Sequence, residues 1–374
     1  MSDAYIALET GEVVEGRARA PGEAHGELVF TTPYTGYEES LTDPSYEAQV
    51  LTFSYPLIGN YGVRAERFES DRVHPHAVLA RELTDDVGAW LADEGVPAID
   101  RVDTRNLVLS IRDRGAMRCG IAAGPDASPD AAREHLASCP HMSDIQNIGA
   151  RVSVDTPEFH QGEDDGSRTG PIEGSTTALG ERTTTALVDC GTKGSIVDSL
   201  AGRGADVHVL PHDATPADVR AVDPDLLFIS NGPGDPATFE AAENLVEHVA
   251  GDLPIAGICL GMQIVARALG GSTEKMDFGH RGVNQPVLDE RTGRVVMTTQ
   301  NHGYMVDDPG ELAITQVNVN DDTPEGAESD ALDIITRQYH PEAHPGPHDT
   351  LGFFDDVLEM AARPATPIES GEGF

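Results

Sequence analysis

The chain reads as an α/β protein in two parts, an N-terminal mixed α/β domain with a β-rich start and a C-terminal domain with a mostly parallel open sheet flanked by helices. Three observations predict this. Short alternating stretches joined by glycine turns open the chain: AYIAL, EVVEG and GELVF. From residue 184 onward, apolar strands alternate with helical segments, the pattern of a parallel sheet covered on both faces. Between the two, residues 153–183 are rich in Gly, Thr, Pro and acids with almost no apolar periodicity, which reads as a linker. The expected organisation is a first domain over 1–152, the linker 153–183, a second domain over 184–362 and a tail over 363–374.

In the first part, TDPSY carries turn chemistry and QVLTFSY behind it reads as a strand. DDVGAWLADEGVPAI predicts a helix and then a short strand, and DTRNLVLSIRDRGAMRCGIA predicts a helix, a glycine turn and another strand. In the second part TALVD is a strand, and KGSIVDSLAGRG is a helix ended by glycine. DVHVL and TPADVRAV repeat the unit. DLLFIS runs into the loop NGPGDP and the helix ATFEAAENLVEHVAG, and PIAGI runs into the helix LGMQIVARALGG. QPVLD, RVVMTT, AITQVNV and DIITRQ predict further strands. No internal repeat is evident.

Sixty-four acidic residues against 25 Lys and Arg give a formal net charge of −39, spread along the chain rather than gathered in one tail. Such a surface repels nucleic acid and anionic membranes, and it is the style of proteins from salt-loving organisms, whose salt screens the self-repulsion. The opening residues carry neither a basic nor an apolar leader segment, and no apolar run approaches 18 residues. The four cysteines, 119, 139, 190 and 259, form no CxxC pair and have no histidine at metal-ligand spacing, so no metal site is expected and a reduced, cytoplasmic chain is.

The sharpest chemical signal is PIAGICLGMQ, residues 254–263. A strand runs straight into Gly257-Ile258-Cys259-Leu260-Gly261 and a helix begins at once, the layout of a nucleophile elbow with Cys in place of Ser. The helix start aims free N–H groups at the sulfur, which favours a thiolate and an oxyanion. A cysteine at a strand end is by default a small buried hydrophobe; the flanking glycines set Cys259 apart. Its base and orienting carboxylate are read in His340-Pro341-Glu342, whose two outer residues would point to the same side of an extended chain. In NGPGDP, Gly232 can bring a backbone N–H to the oxyanion beside that of Leu260. Cys190 follows a strand but lacks the preceding glycine and reads as packing.

Taken together and in this order, NGPGDP, GICLGMQ and HPEA resemble a class I glutamine amidotransferase domain, over roughly residues 184–362. FGHRGVNQPV, TTQNHGYMVD and, in the first part, FTTPYTGYEESLTDPSYEAQVLTFSYPLIGNYGV and DTRNLVLSIRDRGAMR are similar to the small-subunit family of carbamoyl-phosphate synthetases. That resemblance implies Cys259 as nucleophile, His340 as base and Glu342 as its partner. It implies a glutamine site lined by Ser45, Gly232, Gly234, Leu260, Gln263, Asn301, Gly303 and Tyr304, with Ser45 reaching across from the first domain. Met262, Val283, Gln285 and His344 stand where the family often has His, Gly, His and Ser, and His344 reads as a surface residue.

The reaction implied is hydrolysis of the glutamine side-chain amide through a γ-glutamyl thioester, with the ammonia passed by an internal route to a large synthetase subunit, for pyrimidine and arginine biosynthesis. This half needs no cofactor, and the chain holds no GxxxxGK[ST] phosphate loop; ATP, Mg and bicarbonate are expected on the large subunit. The alternatives are another class I amidotransferase, a cysteine hydrolase on the same core, or a non-catalytic regulatory subunit; the first domain speaks against the first and an intact Cys-His-Glu set against the last.

Overall fold

The structure, a computed structural model, describes residues 3–163 and 182–363. Seven strands of the first part close into a barrel: β1 (Ala4–Leu8), β2 (Val13–Ala20), β3 (Gly22–Thr31), β4 (Gln49–Phe53), β6 (Ala77–Leu79), β8 (Ala98–Asp100) and β9 (Met117–Ala123). Their order is β1-β2-β8-β6-β4-β3-β9, with β9 pairing back on β1. A two-stranded ribbon, β5 (Leu57–Ile58) and β7 (Glu82–Leu83), and helices α1 (Tyr37–Thr42), α2 (Asp85–Asp93), α3 (Thr104–Arg114) and α4 (Pro129–Ser138) complete this unit.

Strand alternation explains why β4 is apolar on both sides. Val50 faces one core with Leu28, Leu79 and Ile99, while Leu51 and Phe53 face another with Val78, Val87 and Leu91. The barrel is thus sealed inside and covered outside, and the short strands need no solvent-facing polar period.

The second unit is a ten-stranded sheet of order β10-β12-β11-β13-β14-β19-β18-β17-β15-β16. Its strands are β10 (Glu158–His160), β11 (Thr184–Asp189), β12 (Asp206–Pro211), β13 (Leu226–Ile229), β14 (Ile255–Ile258), β15 (Ser272–Asp289), β16 (Arg294–Asp308), β17 (Ala313–Asn318), β18 (Pro324–Ser329) and β19 (Ile334–Arg337). The five strands from β12 to β19 are parallel; the four beyond β19 are antiparallel. Helices α6 (Pro216–Ala221), α7 (Glu240–Val249) and α8 (Leu260–Ala268) pack on one face with Val188, Leu227 and Ile255. Helices α5 (Gly194–Ala201) and α9 (Gly352–Ala361) pack on the other with Leu187, Phe228 and Ile258.

Within the stretch read as a linker, residues 158–160 form β10, antiparallel to β12; residues 164–181 and the tail from 364 lie outside the described residues. Met142, Ile145 and Ile148 pack into the sheet's core rather than the barrel's, so the chain leaves the barrel before residue 142. Among the described residues no helix is long and apolar enough to cross a membrane.

Candidate active site

Cys259 stands at the C-terminal end of β14 and caps α8, with φ 55° and ψ −106°. A non-glycine residue holds such a backbone only where its surroundings force it. Here the force is close packing of helix on strand. A Cβ on Gly261 would lie 2.1 Å from the Ile229 carbonyl oxygen, and one on Gly257 would lie 2.8 Å from the Gly261 carbonyl carbon. The Cys259 N–H is held by the Arg337 carbonyl of the neighbouring strand at 2.7 Å. The thiol is therefore presented at the strand ends, and the Leu260 N–H lies in the first turn of α8, where helix N–H groups lack a helical acceptor. The sulfur lies 3.8 Å from the Asn301 carbonyl oxygen.

His340 bridges to Thr299, donating its N–H to the Thr299 carbonyl at 2.8 Å. Its Nδ1 donates to Glu342 Oε1 at 2.6 Å. The two side chains meet as expected, but not through strand alternation: Pro341 and Glu342 form a turn and Ala343 follows at φ 57°. The turn swings the carboxylate beneath the ring, which an extended chain need not do. Among the described residues His340 Nε2 has no partner besides the Cys259 side chain. That nitrogen is placed to take up the thiol proton.

Electrostatics favour the charged form of the base. Burial pushes the His340 imidazolium pKa down, but the Glu342 carboxylate and the Cys259 thiol outweigh it and raise the pKa to about 10. Burial likewise pushes Glu342 up, but Lys193 and His340 hold it well below the usual carboxylate range. Lys193 is the participant that sequence reading misses. It is buried, and Nζ donates to Glu342 Oε1 at 2.9 Å and to the His344 carbonyl at 2.5 Å. A signal for it exists: Lys193 and Lys275 are the chain's two lysines, all other cations of this kind being arginine.

A cavity opens beside Cys259. Ser45, Gly232, Gly234, Gln263, Asn301, Gly303 and Tyr304 all line it. Leu260 does not; its side chain is in the core, and only its backbone bears on the site. Ser45 does come from the barrel unit, where Oγ accepts from Asn231 Nδ2 at 3.0 Å. Gly232 packs so closely that a Cβ would lie 2.0 Å from the Cys190 carbonyl oxygen. Glu27, Gln49, Met142 and Arg281 also line the cavity; Gln49 and Arg281 fall within the family motifs but are not singled out there as site residues, and Glu27 and Met142 fall in none of those motifs. Gln263 Nε2 is committed to the Tyr304 carbonyl at 2.8 Å and to Gln338 at 3.0 Å.

A second cavity shares Asn301 with the first and reaches His340; Thr31, Asp43, Lys193, Val283 and Thr299 line it. Asp43 Oδ2 accepts from Asn301 Nδ2 at 3.2 Å. The FGHRG and QNHG motifs support this wall. His280 bonds Asp321 at 2.8 Å and stacks edge-on against His302. His302 in turn is bonded to Gln300 and to the Tyr304 carbonyl, and Arg281 donates to Asn301 Oδ1 at 2.6 Å. Met262 lies fully in the core, so an apolar residue suits that position. Cys190 is likewise buried, and burial pushes its thiol well up. The His344 side chain is exposed, though its carbonyl holds Lys193.

Residues 186–360 match the family model for glutamine amidotransferase class-I, and residues 6–121 that for the carbamoyl-phosphate synthase small chain, CPSase domain. The carbamoyl phosphate synthase small chain of Halobacterium salinarum is 71% identical over 98% of this chain and 99% of its own length. Those of Methanosarcina acetivorans and Archaeoglobus fulgidus are each 43% identical over 96% of this chain and 98% of theirs.

Proposed function

This chain belongs to the family of carbamoyl phosphate synthase small chains and is the glutamine-hydrolysing subunit, and we propose that it does that chemistry with Cys259, His340 and Glu342. The observation that carries the assignment is the linear set Lys193–Glu342–His340, ending in an Nε2 whose partner is the strained, buried Cys259.

L-Glutamine enters the first cavity with its side-chain amide toward the sulfur. The Cys259 thiolate attacks the amide carbon while the Gly232 and Leu260 N–H groups stabilise the oxyanion. The His340 imidazolium, kept charged by Glu342, gives its proton to the departing ammonia, and a γ-glutamyl thioester remains. Water then attacks the thioester with His340 as base, releasing glutamate and the thiolate. Ser45, Gly234, Gln263, Asn301, Gly303 and Tyr304 hold the amino-acid end and stem of the substrate.

The second cavity, which touches His340 on its way past Asn301, is the exit taken by ammonia. The partner is a large synthetase subunit in the cytoplasm, which binds ATP, magnesium and bicarbonate and joins them with ammonia into carbamoyl phosphate. A glutamine-analogue electrophile tests the assignment: it labels Cys259 and spares Cys190. Labelling of another residue, or none, would count against it.

A further inference from the structure

Helix α5 begins at Gly194, and its cap position is Lys193, whose side chain does no capping. The first N–H groups of a helix need acceptors. Here they come from the other unit: the Gly194 N–H donates to the Glu69 carbonyl at 2.8 Å, and the Ser195 N–H to Glu69 Oε2 at 3.0 Å. Glu69 Oε1 lies 3.8 Å from Lys193 Nζ and 3.6 Å from His344 Nδ1. Glu69 is itself held by Thr42 Oγ1, which accepts its N–H at 2.8 Å. Thr42 adjoins Asp43, the residue that takes the Asn301 amide.

We infer that Glu69 is a positioning residue for the triad, acting from the barrel unit: it caps α5, the cap fixes Lys193, and Lys193 fixes the carboxylate that orients His340. Three observations support this. Glu69 is buried at the junction and its Oε1 has no hydrogen-bond partner among the described residues. Burying such a carboxylate is costly unless its neighbours use it. Burial, opposed by Lys193, pushes its pKa up to about 7. A negative group at a helix start is favourable, so the position is occupied for two reasons, the cap and the lysine. Finally, both lysines of the chain reach across to barrel glutamates, Lys193 to Glu69 and Lys275 to Glu27, while the rest of the 25 basic residues are arginine. The compact ammonium head suits a buried slot with acceptors on several sides better than a planar fork does.

This inference rests on the reading of Cys259, His340 and Glu342 as the hydrolytic centre. It is tested in the complex with the large subunit by Glu69→Gln and Glu69→Asp, with Cys259→Ser as control. Glu69→Gln keeps an oxygen for the Ser195 N–H and removes the charge facing Lys193. Expected are a fall in glutamine-dependent kcat of roughly tenfold or more with little change in KM, unchanged synthesis from ammonium, and partial recovery in Glu69→Asp. The rate at which iodoacetamide alkylates Cys259, followed against pH, shifts relative to the parent chain. Glutamine-dependent kcat within twofold of the parent, or an alkylation profile that does not move, overturns the positioning role. An equal fall in synthesis from glutamine and from ammonium overturns it too, since that marks a damaged complex. Were Cys259→Ser to keep glutamine use, the hydrolytic centre itself would be misassigned and the inference would fall with it.

Discussion

Lys193 Nζ and Glu342 Oε1, 149 residues apart in the chain, meet at 2.9 Å with both side chains buried. The lysine holds the carboxylate from behind while the carboxylate holds the base. In the proposed mechanism the His340 ring is therefore oriented by a cation that does not line the cavity beside Cys259.

Lys193→Met removes that cation. Glu342 is then left with one charged partner, its pKa rises, and its grip on His340 Nδ1 weakens. Glutamine hydrolysis falls by about 10²-fold, the lower end of what a well-placed base contributes, and stability falls by about 3 kcal/mol, as for breaking a buried ion pair. Lys193→Arg does not restore the rate, because a guanidinium fork does not fit a slot shaped by Glu342 and the His344 carbonyl. Steady-state glutaminase rates and denaturant unfolding check both; a fully active arginine variant would mean that charge alone is required.

His340 and Glu342 make a signed prediction about pH. The folded pKa of His340 lies above its ordinary 6.5, so the charged pair contributes stability that is fully present below about pH 6.5 and lost as pH rises through about 10. Glu342 is depressed below its ordinary 4.5, so its contribution is present above that pH and lost as pH falls. In Glu342→Gln the His340 pKa falls, because Cys259 alone is then left to oppose the burial that lowers it. Imidazole NMR titration reads this directly, and a His340 still charged at pH 9 in that variant would contradict the electrostatic assignment.

The same pair orders the cost of mutation. His340→Asn removes the proton carrier and slows thioester formation by about 10²–10⁴-fold. Glu342→Gln slows it less, since the ring remains but spends part of its time in the wrong orientation. Equal, complete loss in both would assign Glu342 a further task in holding the 340–346 turn.

Ser45 and Asn231 share a hydrogen bond between the two units. Ser45→Ala leaves the buried Asn231 amide short of an acceptor, costing about 1–3 kcal/mol of stability, and it opens one wall of the cavity proposed to take glutamine. KM for glutamine rises more than kcat falls. A variant with unchanged KM would remove Ser45 from the substrate site.

The charge of −39 predicts a salt-dependent fold. At about 1 M salt the Debye length is near 3 Å, and most self-repulsion is screened. The unfolding temperature therefore rises from dilute buffer to concentrated potassium chloride, and binding of an acidic large subunit tightens over the same range. The 71% identical relative from Halobacterium salinarum accords with this. A flat or falling unfolding temperature would require another cause for the acidity, such as a basic partner surface.

What could be read from the chain follows a physical divide. Cys259 was legible because its backbone demands glycines two residues away on each side, and His340 with Glu342 because they are local to one turn. Lys193, Asp43, Glu69 and Arg281 were not, since each gains its role from a partner distant in the chain. The parallel half of the sheet announced itself through repeated strand and helix periods. The closed barrel did not, because alternation marks a strand's faces but not which neighbour it pairs with, and the order β1-β2-β8-β6-β4-β3-β9 is non-local. Strand β18, PEGAES, buries Glu325 and Glu328 beside one apolar side chain, Ala327, so no hydrophobic period marks it. Helix α4 shows its cap Ser128 and first-turn Pro129 only once the helix is known.

The most direct measurement compares carbamoyl phosphate synthesis from glutamine and from ammonium in the two-subunit complex carrying Cys259→Ser. If Cys259 is the nucleophile that releases ammonia for the partner, the glutamine-dependent rate falls by about 10⁶-fold, as for loss of a nucleophile within a catalytic unit, while the ammonium-dependent rate stays at the level of the unmodified complex. Persistent synthesis from glutamine, or loss of both rates together in a complex that still assembles, would contradict it.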